Sequence, residues 1–264
     1  MMADMMAGMG GMGNFDQTEQ VPKLKNLMLQ NLGPWDQASA TFGDLKYDVR
    51  FPRTVFDDFG MLHNQGQSNQ YDNPTFEFKA PADSVVLAPI SGVIKMLEWQ
   101  PSAAYTQDDW EIIIAPSQRS PWGINLDHVV SIDCDRSGST PVLCELPLTI
   151  NGELVTLGTE IEAGQVLGYV GNWSADSNTG INGRTELTVF KYFDDYSGVT
   201  NYCPTMYLDE SVESVIKASI QELMDSYEAW SGDSSHYNQD QMVSPGCRYS
   251  AIKEVNGITE PVIE

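Results

Sequence analysis

Short β-rich runs separated by turn residues fill the middle of this chain, from residue 73 to about residue 193. Val, Ile, Tyr, Phe and Thr dominate them, and these residue types favour strands. The runs include "SVVLAP", "GVIKMLEW", "WEIIIAP", "INLDHVVSI", "LPLTI", "ELVTLG", "QVLGYVG" and "RTELTVFKYF". An "NGE" segment between two of them predicts a hairpin, because Asn-Gly suits a two-residue hairpin turn. The pattern predicts an all-β domain, and a chain of 264 residues is long enough to bury a large core.

The spacing of the apolar residues changes after "NYCP". In "LDESVESVIKASIQELMDSYEAWSGD" they are three and four positions apart, which is typical of an amphipathic helix. Asp209 is a candidate N-cap and Gly232 a candidate stop, so we predict a helix of about twenty residues that packs on the β-domain. The predicted division of the chain is a Met/Gly-rich arm at 1–20, an N-terminal extension at 21–72, the β-domain at 73–205, and a C-terminal helix and tail at 206–264.

Acidic residues strongly outnumber basic ones, and the formal net charge is −23. Such a charge repels nucleic-acid phosphates and anionic lipid head groups, and it favours cations and cationic partners. Nucleic acid is therefore excluded as a partner. No run approaches the roughly 18–20 apolar residues of a membrane span, so none is predicted. The first residues, "MMADMMAGMGGMG", lack the basic and apolar regions of a secretory signal.

The four cysteines include no C-x-x-C pair and have no histidines at zinc-finger spacing, so two disulfides are the favoured interpretation. Cys134 and Cys144 flank the apparent loop tip "DRSGSTPVL", whereas Cys203 and Cys247 bracket the predicted helix. We predict these two pairings, and the alternative is four buried, reduced thiols. Disulfides predict an extracellular or cell-envelope location.

Two glycine-framed segments, "APISGVI" and "GTEIEAGQVLGYVG", occur within the β-rich region. Their glycines allow tight corners in a small curled sheet. With "INLDHVVSI" and "NTGINGRTELTVF", they resemble the duplicated hybrid motif of lysostaphin-type (LytM-like) zinc endopeptidases and, more distantly, biotinyl and lipoyl carrier domains. A carrier would need a lysine at an exposed "MKM"-like turn, which the sequence lacks. The resemblance covers about residues 73 to 193 and implies a mainly β, lysostaphin-like fold with a peptide-binding groove.

The resemblance also shows where the expected zinc site has changed. The family has an H-x-x-x-D pattern before its A-P-x-G stretch and a later H-x-H pattern. Asn73 and Glu77 stand at the first pattern, and Glu186 and Thr188 stand at the two histidines of the second. Only His128 matches the family, where it would be catalytic. Because zinc needs three ligands drawn from His, Cys or carboxylate, the resemblance implies that zinc and its activated water are lost.

Several interpretations of this five-residue pocket stay open. Glu77 and Glu186 could hold a hard cation such as Ca²⁺, or the carboxylates and His128 could perform acid/base catalysis without a metal. The pocket could instead be a retired site within a ligand groove. His63 and Asp72 are alternative zinc ligands if the alignment is shifted.

Three functions follow from these interpretations. The first is a non-catalytic peptidase-like module in a cell envelope or extracellular assembly, whose partner is a peptide, a glycan or another protein subunit. The second is an active zinc metalloendopeptidase that cleaves peptidoglycan peptides. The third is a structural subunit of a filament or particle. Separately, Asn172 in "NWS" fits the pattern of an N-glycosylation acceptor in a loop.

Overall fold

The computed structural model of the chain describes residues 20–100, 109–137, 143–173 and 179–263. The predicted arm lies outside these ranges except for its last residue. One α-helix, α1 (Glu213–Ser231), and two 3-10 turns, Pro204–Met206 and Gln239–Gln241, are present in the described residues. The strands in these ranges are β1 (Trp35–Asp36), β2 (Thr41–Phe42), β3 (Leu45–Lys46), β4 (Phe56–Asp57), β5 (Leu62–His63), β6 (Tyr71–Asp72), β7 (Phe76–Ala80), β8 (Val85–Leu87), β9 (Gly92–Gln100), β10 (Asp109–Ala115), β11 (Trp122–Val130), β12 (Thr149–Ile150), β13 (Glu153–Leu154), β14 (Glu160–Ile161), β15 (Val166–Asn172), β16 (Gly183–Tyr192), β17 (Val199–Tyr202), β18 (Ala251–Val255) and β19 (Ile258–Pro261). A mainly β fold with one C-terminal helix is thereby confirmed.

Twelve strands form one sheet in the order β14-β9-β10-β11-β15-β16-β17-β18-β19, with β7 and β8 attached to β16 and β15 and β4 attached to β7. Strand β11 changes its partner along its length. Asp127 is opposite Glu186 of β16, whereas Val129 is opposite Val170 of β15. His128 lies between them with a positive φ of 61°, which is uncommon for a residue other than glycine. The partner change therefore occurs at His128.

The main core lies on one face of this sheet. Successive side chains of a strand point to opposite faces, and Leu187 and Val189 belong to the main core. Glu186 and Thr188 consequently face away from it. A second, smaller apolar cluster, formed by Ile113, Phe190, Tyr192 and Val199, is separate from the main core.

The predicted helix is confirmed, including its contact with the β-domain. Gly232 ends it in the left-handed conformation, with φ of 76°. Its start differs from the prediction, because the Asp209 carboxylate accepts from the Ser211 backbone N–H at 3.0 Å and pairs with Lys25 at 2.7 Å. The helix begins four residues later. The buried face consists of Ile220, Leu223, Met224, Ser226 and Tyr227.

The predicted boundaries at residues 73 and 205 do not separate structural units. Strand β4, from the predicted extension, pairs with β7, and strands β18 and β19, from the predicted tail, continue the sheet beyond β17. Leu24, Leu27 and Phe42 of the extension also belong to the main core. The 21–72 and 206–264 segments therefore complete the same fold.

The predicted hairpin and disulfides are confirmed. Asn151 and Gly152 join β12 to β13 with positive φ angles of 54° and 81°. Disulfides link Cys134 to Cys144 and Cys203 to Cys247. Within the described ranges, no helix combines the length and apolar character needed to cross a membrane.

Candidate functional site

One cavity of about 230 Å³ opens on the face of the sheet that lies opposite the main core. We call it the central pocket. The structure brings together in its wall all five residues that the sequence placed in one site, which are Asn73, Glu77, His128, Glu186 and Thr188. It adds residues that the sequence analysis did not name: Tyr71, Pro74, Thr75, Glu111, Asn125, Asp127, Arg184, Asn201 and Glu254. The chemical roles predicted for the five residues stay predictions.

Three carboxylates form a row across the strands that build the pocket. Glu77 of β7 is opposite Glu186 of β16, and Glu186 is opposite Asp127 of β11. Cross-strand partners have side chains on the same face, about 5 Å apart. The strand register therefore concentrates negative charge at the bottom of the pocket.

Arg184 inserts a positive charge into this row. It lies two residues before Glu186 on β16 and thus shares its face. Its Nη1 is 3.6 Å from Glu77 Oε1, and its Nη2 is 3.6 Å from Glu186 Oε1. Nη2 also contacts Nε2 of His128. The guanidinium thus contacts three of the five predicted residues.

His128 is surrounded by carboxylates. Its Nδ1 is 2.9 Å from Asp109 Oδ2, and its Nε2 is 3.5 Å from Glu186 Oε1 and 3.6 Å from Asp127 Oδ2. Burial lowers the pKa of His128 and Arg184 acts in the same direction, but the three carboxylates outweigh both and hold that pKa well above its ordinary value. The imidazolium and Arg184 then share the Glu186 carboxylate.

Gly171 on β15 makes room for the His128–Asp109 pair. A Cβ atom at this glycine would lie 2.7 Å from Asp109 Oδ2 and 2.8 Å from His128 Cβ. Both distances are too short for a side chain to be accommodated without movement. The absence of a side chain at residue 171 is therefore a condition for this geometry.

A second buried cation balances the other side of the row. Lys79 is 1 % exposed, its Nζ pairs with Asp57, and it lies 3.3 Å from Glu77 Oε1. Burial raises the pKa of Glu77 above its ordinary value, although the Lys79 and Arg184 charges oppose this. Glu77 is thus held between two cations.

The carboxyl groups of the pocket differ widely in acidity. Burial and the nearby Asp127 raise the pKa of Glu111 to about 8, and burial raises that of Asp127 to about 6. Burial also acts to raise the pKa of Glu186, but Arg184 and His128 lower it to about 2. A protonated and an ionised carboxyl therefore coexist at neutral pH, which is the pattern that the hypothesis of metal-free acid/base catalysis requires.

The residues at the positions where the resembled family binds zinc do not fit a zinc ion. The Asn73 amide nitrogen donates to the carbonyl oxygens of Thr75 at 3.0 Å and Asp58 at 3.4 Å. Thr188 offers a neutral hydroxyl, which is not a usual zinc ligand. Glu77 is already paired with Arg184, whose charge would repel a divalent ion placed beside it.

A different set of ligand atoms, from Asp109, Asp127 and His128, lies within 4.8 Å of one another. Both ring nitrogens of His128 are engaged, because Nδ1 is bound to Asp109 and Nε2 is in contact with Arg184. This set does not offer zinc a free imidazole lone pair. Glu77 and Glu186, the two predicted Ca²⁺ ligands, both pair with Arg184. Binding of Ca²⁺ at these carboxylates stays a prediction.

The alternative zinc ligands lie elsewhere. His63 is opposite Tyr71 in the β5–β6 pair, and its Nε2 is 3.7 Å from Asp57 Oδ2. The backbone N–H of Asp72 donates to Thr259 Oγ1 at 3.1 Å. Neither His63 nor Asp72 is among the described residues that line the central pocket.

The prediction of a glycosylated loop at Asn172 is wrong. Asn172 ends strand β15 and is 4 % exposed. Its side-chain oxygen accepts a hydrogen bond from the buried Arg136. The side-chain amide is therefore not accessible to a glycosyltransferase.

Solved structures with a partly similar arrangement of strands include a chain of the SpoIIQ-SpoIIIAH pore forming complex, with 11% identity and a TM-score of 0.37 over 75% of this chain and 99% of that chain. Two crystal forms of Helicobacter pylori Csd3 also match. The orthorhombic form has 14% identity and a TM-score of 0.34 over 74% of this chain and 46% of that chain, and the hexagonal form has 12% and 0.33 over 79% and 45%. No protein-family model and no curated protein matches the sequence.

Proposed function

We propose that this protein is a non-catalytic, peptidase-like module that binds a partner in a cell envelope or extracellular assembly. The observation that carries the proposal is the position of Arg184. Its guanidinium lies among Glu77, Glu186 and His128, which stand at positions that the resembled peptidases use for zinc binding and catalysis. A fixed cation of the protein therefore supplies the positive charge of this site.

A guanidinium cannot replace the chemistry of zinc. It remains protonated at all ordinary pH values and has no lone pair to donate. It cannot hold a water molecule as a ligand and lower its pKa to about 7, which is how zinc produces a nucleophile at neutral pH. His128 is held in its protonated form by the carboxylates around it, so its Nε2 has no lone pair with which to act as a general base. Both observations favour binding over hydrolysis.

The location and the partner class are argued from other features. Two disulfides favour an oxidising environment, which supports an extracellular or envelope location. The resemblance favours a peptide or a glycan as the partner, or another protein subunit that occupies the same groove. The net charge of −23 favours partners with positive charge.

The test measures zinc content and hydrolysis with the same purified protein. After incubation with zinc and gel filtration, we expect the wild-type chain to retain zinc well below one equivalent, by elemental mass spectrometry. We expect no release of fragments from peptidoglycan. The triple variant N73H/R184A/T188H is a control for the zinc assay, because it restores two histidines and removes the guanidinium. Stoichiometric zinc together with peptidoglycan cleavage by the wild-type chain would support the active metalloendopeptidase instead.

A further inference from the structure

Three buried polar atoms in the wall of the central pocket have no hydrogen-bond partner among the residues that the structure describes. They are Oδ1 of Asn125, Oδ1 of Asn201 and Oγ1 of Thr75. These residues are 7 %, 0 % and 7 % exposed. A buried polar atom without a partner is costly and uncommon. Three such atoms around one cavity indicate a site built for something that supplies hydrogen-bond donors.

The orientation of both amides is fixed by the groups on their other side. The Asn125 Nδ2 donates to Glu111 Oε1 at 2.7 Å, and the Asn201 Nδ2 donates to Glu254 Oε2 at 3.0 Å. Because each amide nitrogen is used in this way, each amide presents its carbonyl oxygen as the unused atom. The hydrogen-bonding capacity that remains is therefore that of an acceptor.

The sheet places these acceptors on both sides of strand β16. Asn125 on β11 is opposite Thr188, and Asn201 on β17 is opposite Phe190. Strands β11 and β17 flank β16, so their backbones are about 9–10 Å apart. Thr75 immediately precedes β7, which pairs with β16 on the same side as β17. A group that sits above Thr188 can approach acceptors from both sides.

The charges nearby select among possible occupants. A Ca²⁺ ion takes six to eight oxygen ligands, several of them from ionised carboxylates. Here Glu77 and Glu186 already share Arg184, and the unused atoms are neutral oxygens. A primary ammonium group has three N–H donors, which matches three unused acceptors. The cavity of about 230 Å³ far exceeds the roughly 10–15 Å³ that one water molecule needs.

We propose that the central pocket binds the primary ammonium group of a peptide, such as that of a lysine-type side chain, through Thr75, Asn125 and Asn201. This inference rests on the proposed function and specifies the ligand class of the same pocket. Glu254 stands behind Asn201 and polarises its carbonyl oxygen, and Glu111 holds the Asn125 amide in place. The ligand's positive charge also fits the acidic character of the chain.

The test is a calorimetric titration of the full chain with Nα-acetyl-lysine methylamide. We expect its Nε-acetylated analogue, which lacks the charge and two N–H donors, to bind at least tenfold more weakly. The corresponding arginine derivative and CaCl₂ form two further arms. Tighter binding of the arginine derivative, or displacement of the lysine probe by CaCl₂, would overturn the assignment to an ammonium group.

Thr75→Val keeps the shape of the side chain and removes the unused hydroxyl. A hydrogen bond to a charged group contributes about 1.5–3 kcal/mol, so the affinity for the lysine probe should fall by about tenfold or more. Thr200→Val is the matched control, because Thr200 is adjacent to Asn201 but its side chain points to the opposite face of β17. Asn201→Ala, checked by circular dichroism, should weaken binding as well.

Equal affinity of the lysine probe for the wild type and both pocket variants would overturn the inference, as would equal binding of the charged and acetylated probes. No binding of either probe would indicate a solvated pocket without this role. These outcomes leave the zinc and hydrolysis measurements untouched. A failure of the ammonium site is thus distinguishable from a failure of the non-catalytic assignment.

Discussion

Arg184→Met tests the charge balance of the central pocket directly, because it keeps an apolar stem and removes the guanidinium. The Arg184 side chain is 11 % exposed, and the Glu77 side chain is 10 % exposed. Removal of one partner from a buried ion pair costs about 3–5 kcal/mol, since the remaining charge stays buried. The variant should therefore be much less stable than the wild type.

The acidity of Glu186 gives a second measure of the same effect. Burial would raise its pKa, but Arg184 first and His128 second lower it from 4.5 to about 2. Because each pKa unit corresponds to about 1.4 kcal/mol, the ionised form gains about 3 kcal/mol in the folded protein. Because Arg184 makes the largest contribution to this lowering, we expect a loss of up to about 3 kcal/mol in the free energy of unfolding at pH 7.

The pH dependence of this loss distinguishes charge from packing. A carboxyl whose pKa is lower in the folded state stabilises that state above its unfolded pKa, and this contribution disappears as the pH falls towards the folded pKa. For Glu186 the relevant window runs from 4.5 down to about 2. The difference between wild type and variant should therefore shrink from about 3 kcal/mol at pH 7 to roughly half of that at pH 3.

Urea denaturation followed by tryptophan fluorescence at both pH values measures the two differences. Arg136→Met is the matched control, because Arg136 is also buried but donates to the backbone carbonyls of Ala82 and Val170. Its cost should be similar at pH 7 and pH 3. If Arg184→Met is as stable as the wild type at pH 7, or loses the same amount at both pH values, the assigned role of the guanidinium is refuted.

Three further outcomes are expected. Removal of the Cys203–Cys247 disulfide, whose cysteines are 44 residues apart, should lower the free energy of unfolding by about 4 kcal/mol. Removal of Cys134–Cys144, with a separation of 10, should lower it by about 3 kcal/mol. Urea denaturation curves that reverse this order would contradict the loop-entropy argument. Gly171→Ala should push the aspartate partner away from His128 and lower the raised pKa of that imidazole, and an unchanged NMR titration would show that the close contact is unimportant. Thr75→Val should raise the free energy of unfolding by up to about 1 kcal/mol, because it deletes a buried hydroxyl that has no hydrogen-bond partner among the described residues. A lower melting temperature of the variant would show that the hydroxyl is hydrogen-bonded in the wild type.

The five predicted pocket residues could be placed from the sequence because strand geometry is strongly constrained. Residues two apart on a strand share a face, so Glu186 and Thr188 had to point in the same direction. The glycines of the two glycine-framed segments, which include Gly92 and Gly171, predicted tight corners between the strands of a small curled sheet. The pairing of Glu77 with Glu186 then follows from the register of β7 with β16.

Arg184 was missed although the same alternation puts it on the pocket face. The patterns used to find the site do not include this position, and the contact of its guanidinium with His128 is made by tertiary structure. Asp109 and Asn125 were missed for another reason. Asn125 enters the pocket through the register of β11 with β16, and Asp109 is the first residue of β10, whose pairing with β11 begins at Trp110; no local pattern in the sequence specifies these registers.

Two local motifs gave wrong expectations because distant residues decided the outcome. The "NWS" triplet predicted an exposed loop, but β15 extends through Asn172 and the buried Arg136 binds its side chain. Asp209 fitted the role of a helix cap, but Lys25, from the other end of the chain, pairs with its carboxylate. Both motifs are defined over a few residues, whereas the competing contacts are set by the tertiary structure.

The charge balance of the pocket connects Glu77, Arg184 and Glu186 to one another. Glu77 and Glu186 face each other from adjacent strands, and two buried carboxylates need a cation nearby. In the resembled peptidases zinc would supply positive charge at such a site, and here Arg184 and Lys79 supply it. Asn73 and Thr188, which stand where the resembled family has histidines, and Arg184 are therefore parts of one arrangement. A variant that restores histidines at 73 and 188 but keeps Arg184 should still fail to hold zinc, since the guanidinium would remain beside the ion.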